Sequence, residues 1–307
     1  MSLLDTVQKP QDRPLMATIL GDAGMGKTRL AAAMPKPIFI RAEDGLQSVP
    51  VDDRPDAFPR LQHAQDLWDQ LMALIKEDHD YCTLVVDSVT ALERMFIDDV
   101  MAKDGRAKAI AQAMGGYGAG YQAVGAMHQR VRKAAGVLNT KRDMNVVFIA
   151  HADVETMRSP DMDDFMRYTL RLNQKYSLAP YVDDVDLVGF IRLQSFVKGE
   201  DGERKRVVST GRRELVVHAN ASNVSKNRFG LEHPMPFAEG ENPLLDAIAS
   251  IRKEKQRRGR PKGATRKPAP ITPDEPEAET IPVDADGDIL DDGIDLDGSS
   301  ADPYEND

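Results

Sequence analysis

Along the chain as far as Ala219, short apolar runs alternate with stretches of helical spacing. Leu15–Leu20, Ile38–Ile40, Thr83–Val86 and Val146–Ile149 are continuous apolar runs with the length and composition of buried strands. Leu67, Leu71, Leu74 and Ile75 recur at helical spacing. From Gly118 to Leu138, the residues Tyr121, Val124, Met127, Val131 and Leu138 predict a long amphipathic helix whose Met and aromatic stripe belongs to the core. Such alternation implies an α/β fold with a mostly parallel central sheet and helices on both faces. Asp186–Phe196, Arg204–Thr210 and Glu214–Ala219 read as later strands, with Lys198-Gly199-Glu200-Asp201-Gly202 as the turn between the first two. The sheet is therefore expected to end in antiparallel hairpins. No internal repeat interrupts the pattern.

Composition sets the limits of the folded part. The chain has 307 residues, of which 41% are hydrophobic, enough for one sizeable core. The formal charge of −10 divides unevenly. Residues 1–251 carry 31 basic and 35 acidic side chains; residues 252–270 carry 9 basic and 1 acidic, a net of +8; residues 271–307 carry 14 acidic and no basic, a net of −14. The last segment is rich in Asp, Pro and Gly and too poor in apolar groups to offset its ordering entropy. A folded domain over 1–251, a basic linker over 252–270 and a disordered acidic tail over 271–307 follow. The single cysteine, Cys82, forms no internal disulfide, the start lacks the layout of a signal peptide, and no apolar run is long enough for a bilayer. A cytoplasmic protein without membrane contact is expected.

Candidate chemistry enters at Gly21-Asp22-Ala23-Gly24-Met25-Gly26-Lys27-Thr28, which fits the GxxxxGK[ST] phosphate-binding loop at every fixed position. The apolar run before it and Arg29-Leu30-Ala31-Ala32-Ala33 after it supply the strand and helix that such a loop joins. Glycines let successive N–H groups point at a β-phosphate, Lys27 adds charge near the β- and γ-phosphates, and the Thr28 hydroxyl can ligate Mg²⁺. ATP and Mg²⁺ are the expected cofactors. Asp87, at the end of Leu84-Val85-Val86, is placed as a Walker B carboxylate that holds Mg²⁺ through its water shell, although a strand ending in Asp is common in isolation. Glu43 and Asp44 end the strand after the loop helix; they read either as a general base near the γ-phosphate or as a solvated turn. His151 ends Asn145–Ala150 with a polar ring that serves either as a γ-phosphate sensor or as a structural hydrogen-bonding residue.

These motifs together resemble the RecA-like recombinase core, and from Met16 to Gly230 the pattern looks most like the compact RecA-like NTPases of bacteriophages, AAA-domain nucleotide-binding proteins that include ATP-dependent single-strand annealing recombinases. The resemblance implies that Glu43 orients the attacking water and that His151 takes the place usually held by a glutamine that leads into a mobile DNA-binding loop. It also implies that Lys226 and Arg228, in Lys226-Asn227-Arg228, reach phosphates bound by a neighbouring subunit, which makes hydrolysis depend on a homo-oligomer, ring or filament. The segment before Met16 is short for the arm by which RecA packs on its neighbour, and a charged tail replaces RecA's folded C-terminal domain.

DNA contacts are sought in two places. The stretch from Asp153 to Tyr181 reads as a long irregular loop offering Arg158, Arg167, Arg171 and Lys175 for phosphates and Phe165, Tyr168 and Tyr176 for base stacking, with Asp161, Asp163 and Asp164 interleaved. Arg257-Arg258-Gly259-Arg260-Pro261 contains the core of an AT-hook, in which Arg258 and Arg260 lie along a narrow minor groove on an extended backbone; general attraction to nucleic acid is the alternative. The expected function is that of an ATPase that binds single-stranded DNA and promotes annealing or strand pairing, alone or with a phage or host single-stranded-DNA-binding protein. A nucleotide-gated DNA-binding or loading protein with little turnover and a RecA-like helicase are the alternatives.

Overall fold

The computed structural model describes residues 3–7, 12–158, 163–198, 206–218 and 220–258. In chain order the strands and α-helices are β1 (Met16–Gly21), α1 (Lys27–Ala32), β2 (Pro37–Arg41), β3 (Asp56–Ala57), α2 (Ala64–Lys76), β4 (Thr83–Asp87), α3 (Val89–Lys103), α4 (Ala119–Lys141), β5 (Asn145–Met157), β6 (Phe165–Leu170), α5 (Ala179–Val182), β7 (Leu187–Lys198), β8 (Arg206–Val216), β9 (Lys226–Asn227), β10 (Met235–Phe237) and α6 (Pro243–Arg258). Among the described residues the sheet runs β10-β8-β7-β1-β5-β4-β2-β3, with β6 on β5 and β9 on β7. Pairing is parallel from β7 through β1, β5, β4 and β2 to β3, and antiparallel for β7–β8 and β8–β10. The RecA-like expectation of a mostly parallel, helix-covered sheet with late antiparallel strands is met. β5 lies between the loop-bearing strand β1 and the Asp87 strand β4, so a third strand end opens between the two.

Local sequence accounts for the elements. α2 buries Leu67, Leu71, Leu74 and Ile75 on one face, and its first turn is tied by the Asp66 carboxylate, which accepts from the Gln62 and His63 N–H groups at 2.7 and 3.0 Å. α3 is capped by Ser88, whose hydroxyl accepts from the Ala91 N–H at 3.2 Å. α4 buries Val124, His128, Val131, Ala135 and Leu138. On one sheet face Ala17 and Ile19 pack with Leu30 of α1, Met34 just after it, and Leu244 and Ile248 of α6. On the other, the Thr18 hydroxyl donates to the Tyr181 carbonyl at 2.7 Å and the Tyr181 ring meets Phe148 edge-on at 4.9 Å.

Two expectations need correction. The strands expected to end at Thr210 and to begin at Glu214 are joined in one strand, β8, in which Gly211 at φ 76° and a register shift between Leu193 and Ser195 of β7 mark the break. The stretch after Asp153 is no irregular loop: β5 continues to Met157 and pairs antiparallel with β6, Glu155 facing Arg167. Both faces of that ribbon are partly solvated, so alternation never produced an apolar face to read. Beyond the folded unit, α6 runs past Ile251 through Arg258, because Lys, Glu, Gln and Arg are good helix formers. Met1–Arg252 forms one compact unit and Lys253–Asp307 is assigned to a second, of which 253–258 are described. The turn residues Gly199–Gly202 and the acidic segment 271–307 lie outside the described residues.

His128 couples the stability of this architecture to pH. It is fully buried between Phe96 and Tyr181, its Nδ1 lies 2.8 Å from the Tyr181 hydroxyl, and burial pushes its pKa down to about 3. In the unfolded chain the ring titrates near its ordinary 6.5, so stability is full above that value and is lost as pH falls toward 3. Between pH 7 and pH 5 this group alone should cost about 2 kcal/mol. Urea unfolding at the two pH values should show a smaller loss for His128→Gln than for the parent. Equal losses would contradict a neutral, buried imidazole.

Candidate nucleotide site

Strand register brings the candidate residues together. In the parallel sheet Gly21 is level with His151, Arg41 with Asp87, and Asp87 with Ile149, so β1, β2, β4 and the core part of β5 finish at one edge. The N–H groups of Ala42 and Glu43 both donate to the Asp87 carbonyl, at 2.8 and 3.1 Å, which fixes the turn after β2 against the end of β4. The result is a cleft of about 440 Å³, within the range of small-ligand pockets, lined by Gly24, Gly26, Lys27, Thr28, Glu43, Gly45, Asp87 and His151.

The Gly21–Thr28 loop curls because Gly24 and Gly26 adopt φ of 78° and 90°, where a side chain would be strained. α1 then starts at Lys27, and its first N–H groups have no intrahelical acceptors. Lys27 is 6% exposed, and its ammonium donates to the carbonyls of Gly21 and Asp22 at 2.8 Å each. Burial lowers its pKa, against the opposing charges of Asp87, Glu43 and Asp22. A cation held on neutral carbonyls, with anions near but not bonded, is poised to take an anionic ligand.

Thr28 donates to Asp87 Oδ2 at 2.9 Å. Asp87 is 2% exposed, and burial pushes its carboxyl up to about 6, the nearby Glu43 charge adding to the effect and the Thr28 hydrogen bond and Lys27 opposing it. Gly45 borders both oxygens: a Cβ there would lie 2.6 Å from Asp87 Oδ2 and 2.8 Å from Thr28 Oγ1. One hydroxyl, one carboxylate and clear space beside them fit Mg²⁺, which takes few protein oxygens and completes its shell with phosphate and water. Among the described residues no group of three or more His, Cys, Asp or Glu could hold a metal by itself.

Glu43 and His151 form a pair, Oε1 to Nε2, at 2.9 Å. Burial acts to raise the Glu43 carboxyl, but hydrogen bonds from His151 and Ser88 and the charges of His151 and Lys27 hold it below the usual range. It is therefore anionic, as a proton acceptor must be. His151 is fixed from behind, its N–H donating to the Thr90 hydroxyl at 3.0 Å.

The sequence reading missed Arg213, Arg29 and Glu239, which also line the cleft. Arg213 donates to Glu239 Oε1 at 2.9 Å, and Arg29 pairs with Glu239 Oε2. Arg29 follows the loop directly and could have been found by position. Arg213 carries no motif; only the pairing of β8 with β10, which sets Arg213 beside Phe237, brings it to the loop.

The other candidates lie elsewhere. Arg158 is exposed after β5, Arg167 is bound to Glu155 at 2.6 Å, and Lys175 lies over the Tyr176 ring at 4.9 Å. Tyr176 stacks on Tyr121 and Tyr168 on Phe190, so one face of each ring is already covered. Arg171 belongs to the base of the ribbon, its N–H donating to the His151 carbonyl and its guanidinium to Ala152, close enough to Lys27 to oppose its charge. Lys226 binds the Asp183 carbonyl and Arg228 binds Asp186 at 3.1 Å, at the opposite end of the parallel strands from the loop. Arg258 ends α6, which does not match the extended backbone of an AT-hook, and Arg260 lies outside the described residues.

Residues 13–229 match a protein family described as AAA domain. Comparison with curated proteins finds no match. Among solved structures the chain is similar to one titled "Crystal structure of the RadB recombinase", with 16% identity over 74% of this chain and 90% of that one and a TM-score of 0.41. The family match spans well over half of the chain and takes in the Gly21–Thr28 loop, Glu43, Asp87 and His151, so the chain belongs to this AAA-domain family.

Proposed function

We propose that the chain is a RecA-like ATPase that hydrolyses ATP to ADP and phosphate, binds single-stranded DNA and, in its ATP state, promotes annealing or strand pairing in recombination of the phage or mobile-element type. The observation that carries this reading is the convergence of Lys27, Thr28, Glu43, Asp87 and His151 on one cleft. Thr28 and Asp87 would hold Mg²⁺, which when bound offsets charge on the phosphate oxygens. Lys27 exchanges its two carbonyl partners for phosphate oxygens. Glu43 takes the proton of the attacking water on a carboxylate that His151 orients.

Chain continuity supports a coupling to DNA. His151 and the β5–β6 ribbon share one strand, so a change in the Glu43–His151 hydrogen bond acts directly on the base of the ribbon. Arg158 and Met166, both exposed there, would meet a strand. Lys226 and Arg228, remote from their own cleft, would act on the nucleotide of a neighbouring copy in a homo-oligomer. A phage or host single-stranded-DNA-binding protein is a further partner, and the bacterial cytoplasm the setting.

Phosphate release, measured with and without single-stranded DNA, tests the reading. Lys27→Ala should lose ATP binding. Glu43→Gln should bind ATP like the parent and turn over about a hundredfold more slowly or worse. Parent-rate hydrolysis by Glu43→Gln would remove Glu43 from the mechanism, while tight binding by the parent without DNA-stimulated release would favour the nucleotide-gated loader.

The metal position is tested at Gly45. The Cβ of Gly45→Ala intrudes on both proposed ligands, so Mg²⁺-dependent ATP binding should weaken by about tenfold or more while ATP binding in EDTA changes little. A uniform loss in both conditions would place the metal elsewhere.

A further inference from the structure

The arginine pair at the mouth of the cleft has no role in the hydrolytic scheme. Arg213 reaches the phosphate-binding loop from β8: the atoms nearest to a Cβ built on Gly26 would be its Nη1, Cζ and Cδ, at 3.5 to 3.7 Å. Its guanidinium is thus spread along the loop at the residue with φ of 90°, where the chain turns into α1. Glu239, in the turn after β10, bridges Arg213 and Arg29 with its two carboxylate oxygens. Arg29 is steadied separately, its Nε donating to the Ser48 carbonyl at 2.6 Å. The hydrogen bond from Arg213 and the charge of Arg29 hold the Glu239 carboxyl below its usual range, although the side chain is 57% exposed.

A planar guanidinium beside this loop, held by a single bond to a solvent-facing carboxylate, is a group suited to binding phosphate. Glu239 offers Arg213 and Arg29 the same kind of oxygen pair that a phosphate would. It competes for them from a half-exposed turn, where an ion pair contributes little net stability. A polyphosphate seated on the loop brings several charges and needs no such turn to hold it.

Resting on the nucleotide reading above, we infer that Arg213 is a second cationic ligand for the polyphosphate, supplied by the same chain, and that Glu239 is an internal anion that occupies it until nucleotide displaces it. Displacement frees the turn between β10 and α6, so occupancy of the cleft is reported on this side of the sheet as well as through His151.

Titration calorimetry with ATP and with inorganic tripolyphosphate, which has no base, tests the inference on the full chain. Arg213→Ala should weaken both ligands by about tenfold or more, and Arg213→Lys should recover part of the loss. Glu239→Gln should tighten both several-fold, since it removes the competitor and leaves Arg213 in place. Opposite signs for the Arg213 and Glu239 variants are the signature, because a merely structural tie between them would make both substitutions weaken binding. Parallel weakening, or an unchanged affinity in Arg213→Ala, would overturn the inference while loss of binding in Lys27→Ala still upheld the nucleotide site. Equal ATP affinity in Lys27→Ala and the parent would overturn both. Apo thermal midpoints of the variants, expected to match the parent, separate these results from misfolding.

Discussion

Asp87 is buried at the end of β4 with the Thr28 hydroxyl donating to it, and a carboxylate so placed is costly as an anion unless a cation is supplied. Its neighbourhood answers that requirement. Lys27 lies close but bonds to carbonyls, Gly45 leaves open the space beside both oxygens, and the turn bearing Glu43 is tied by two N–H groups to the Asp87 carbonyl. None of these features supplies the Asp87 carboxylate with a bonded cation. Together they make sense as a site that reaches its electrostatic balance only with a metal and a polyanion in place.

The strand order turns that local requirement into a machine with connected parts. Because β5 separates β1 from β4, its end supplies His151 to the cleft, and its continuation forms a two-stranded ribbon with β6. β7 on the other side of β1 pairs with β8, which returns Arg213 to the mouth of the same loop. The cleft is therefore flanked by two segments, the β5–β6 ribbon on one side and β8 with β10 on the other. The cations at the far end of the sheet, Lys226 and Arg228, are bound to Asp183 and Asp186 and take no part in this balance.

Much of this was legible in the sequence, for identifiable reasons. The core strands are continuous apolar runs, and the loop after β1 is a contiguous motif recognisable by its spacing. Asp87 and Glu43 could be read because they end such runs. The β5–β6 ribbon could not, since both its faces meet water and its Glu155–Arg167 pair looks in sequence like unpatterned charge. β8 was split by Gly211, which resembles a turn but acts as a kink within one strand. Arg213 and Glu239 were invisible because their meeting depends on the antiparallel register of β8 with β10 and on nothing local. The aromatic residues expected to stack on bases were legible as aromatic but not as partners of one another: Tyr121 with Tyr176, and Tyr168 with Phe190.

The central claim is that the cleft beside Asp87 holds a divalent cation together with a nucleoside triphosphate. An anomalous-scattering map from crystals grown with Mn²⁺ and a non-hydrolysable ATP analogue tests it directly. The account predicts one metal peak beside Thr28 and Asp87, with the phosphates seated on residues 21–28 and the Lys27 ammonium turned from its carbonyls toward them. A metal peak away from Thr28, or an analogue bound anywhere other than on that loop, would contradict it.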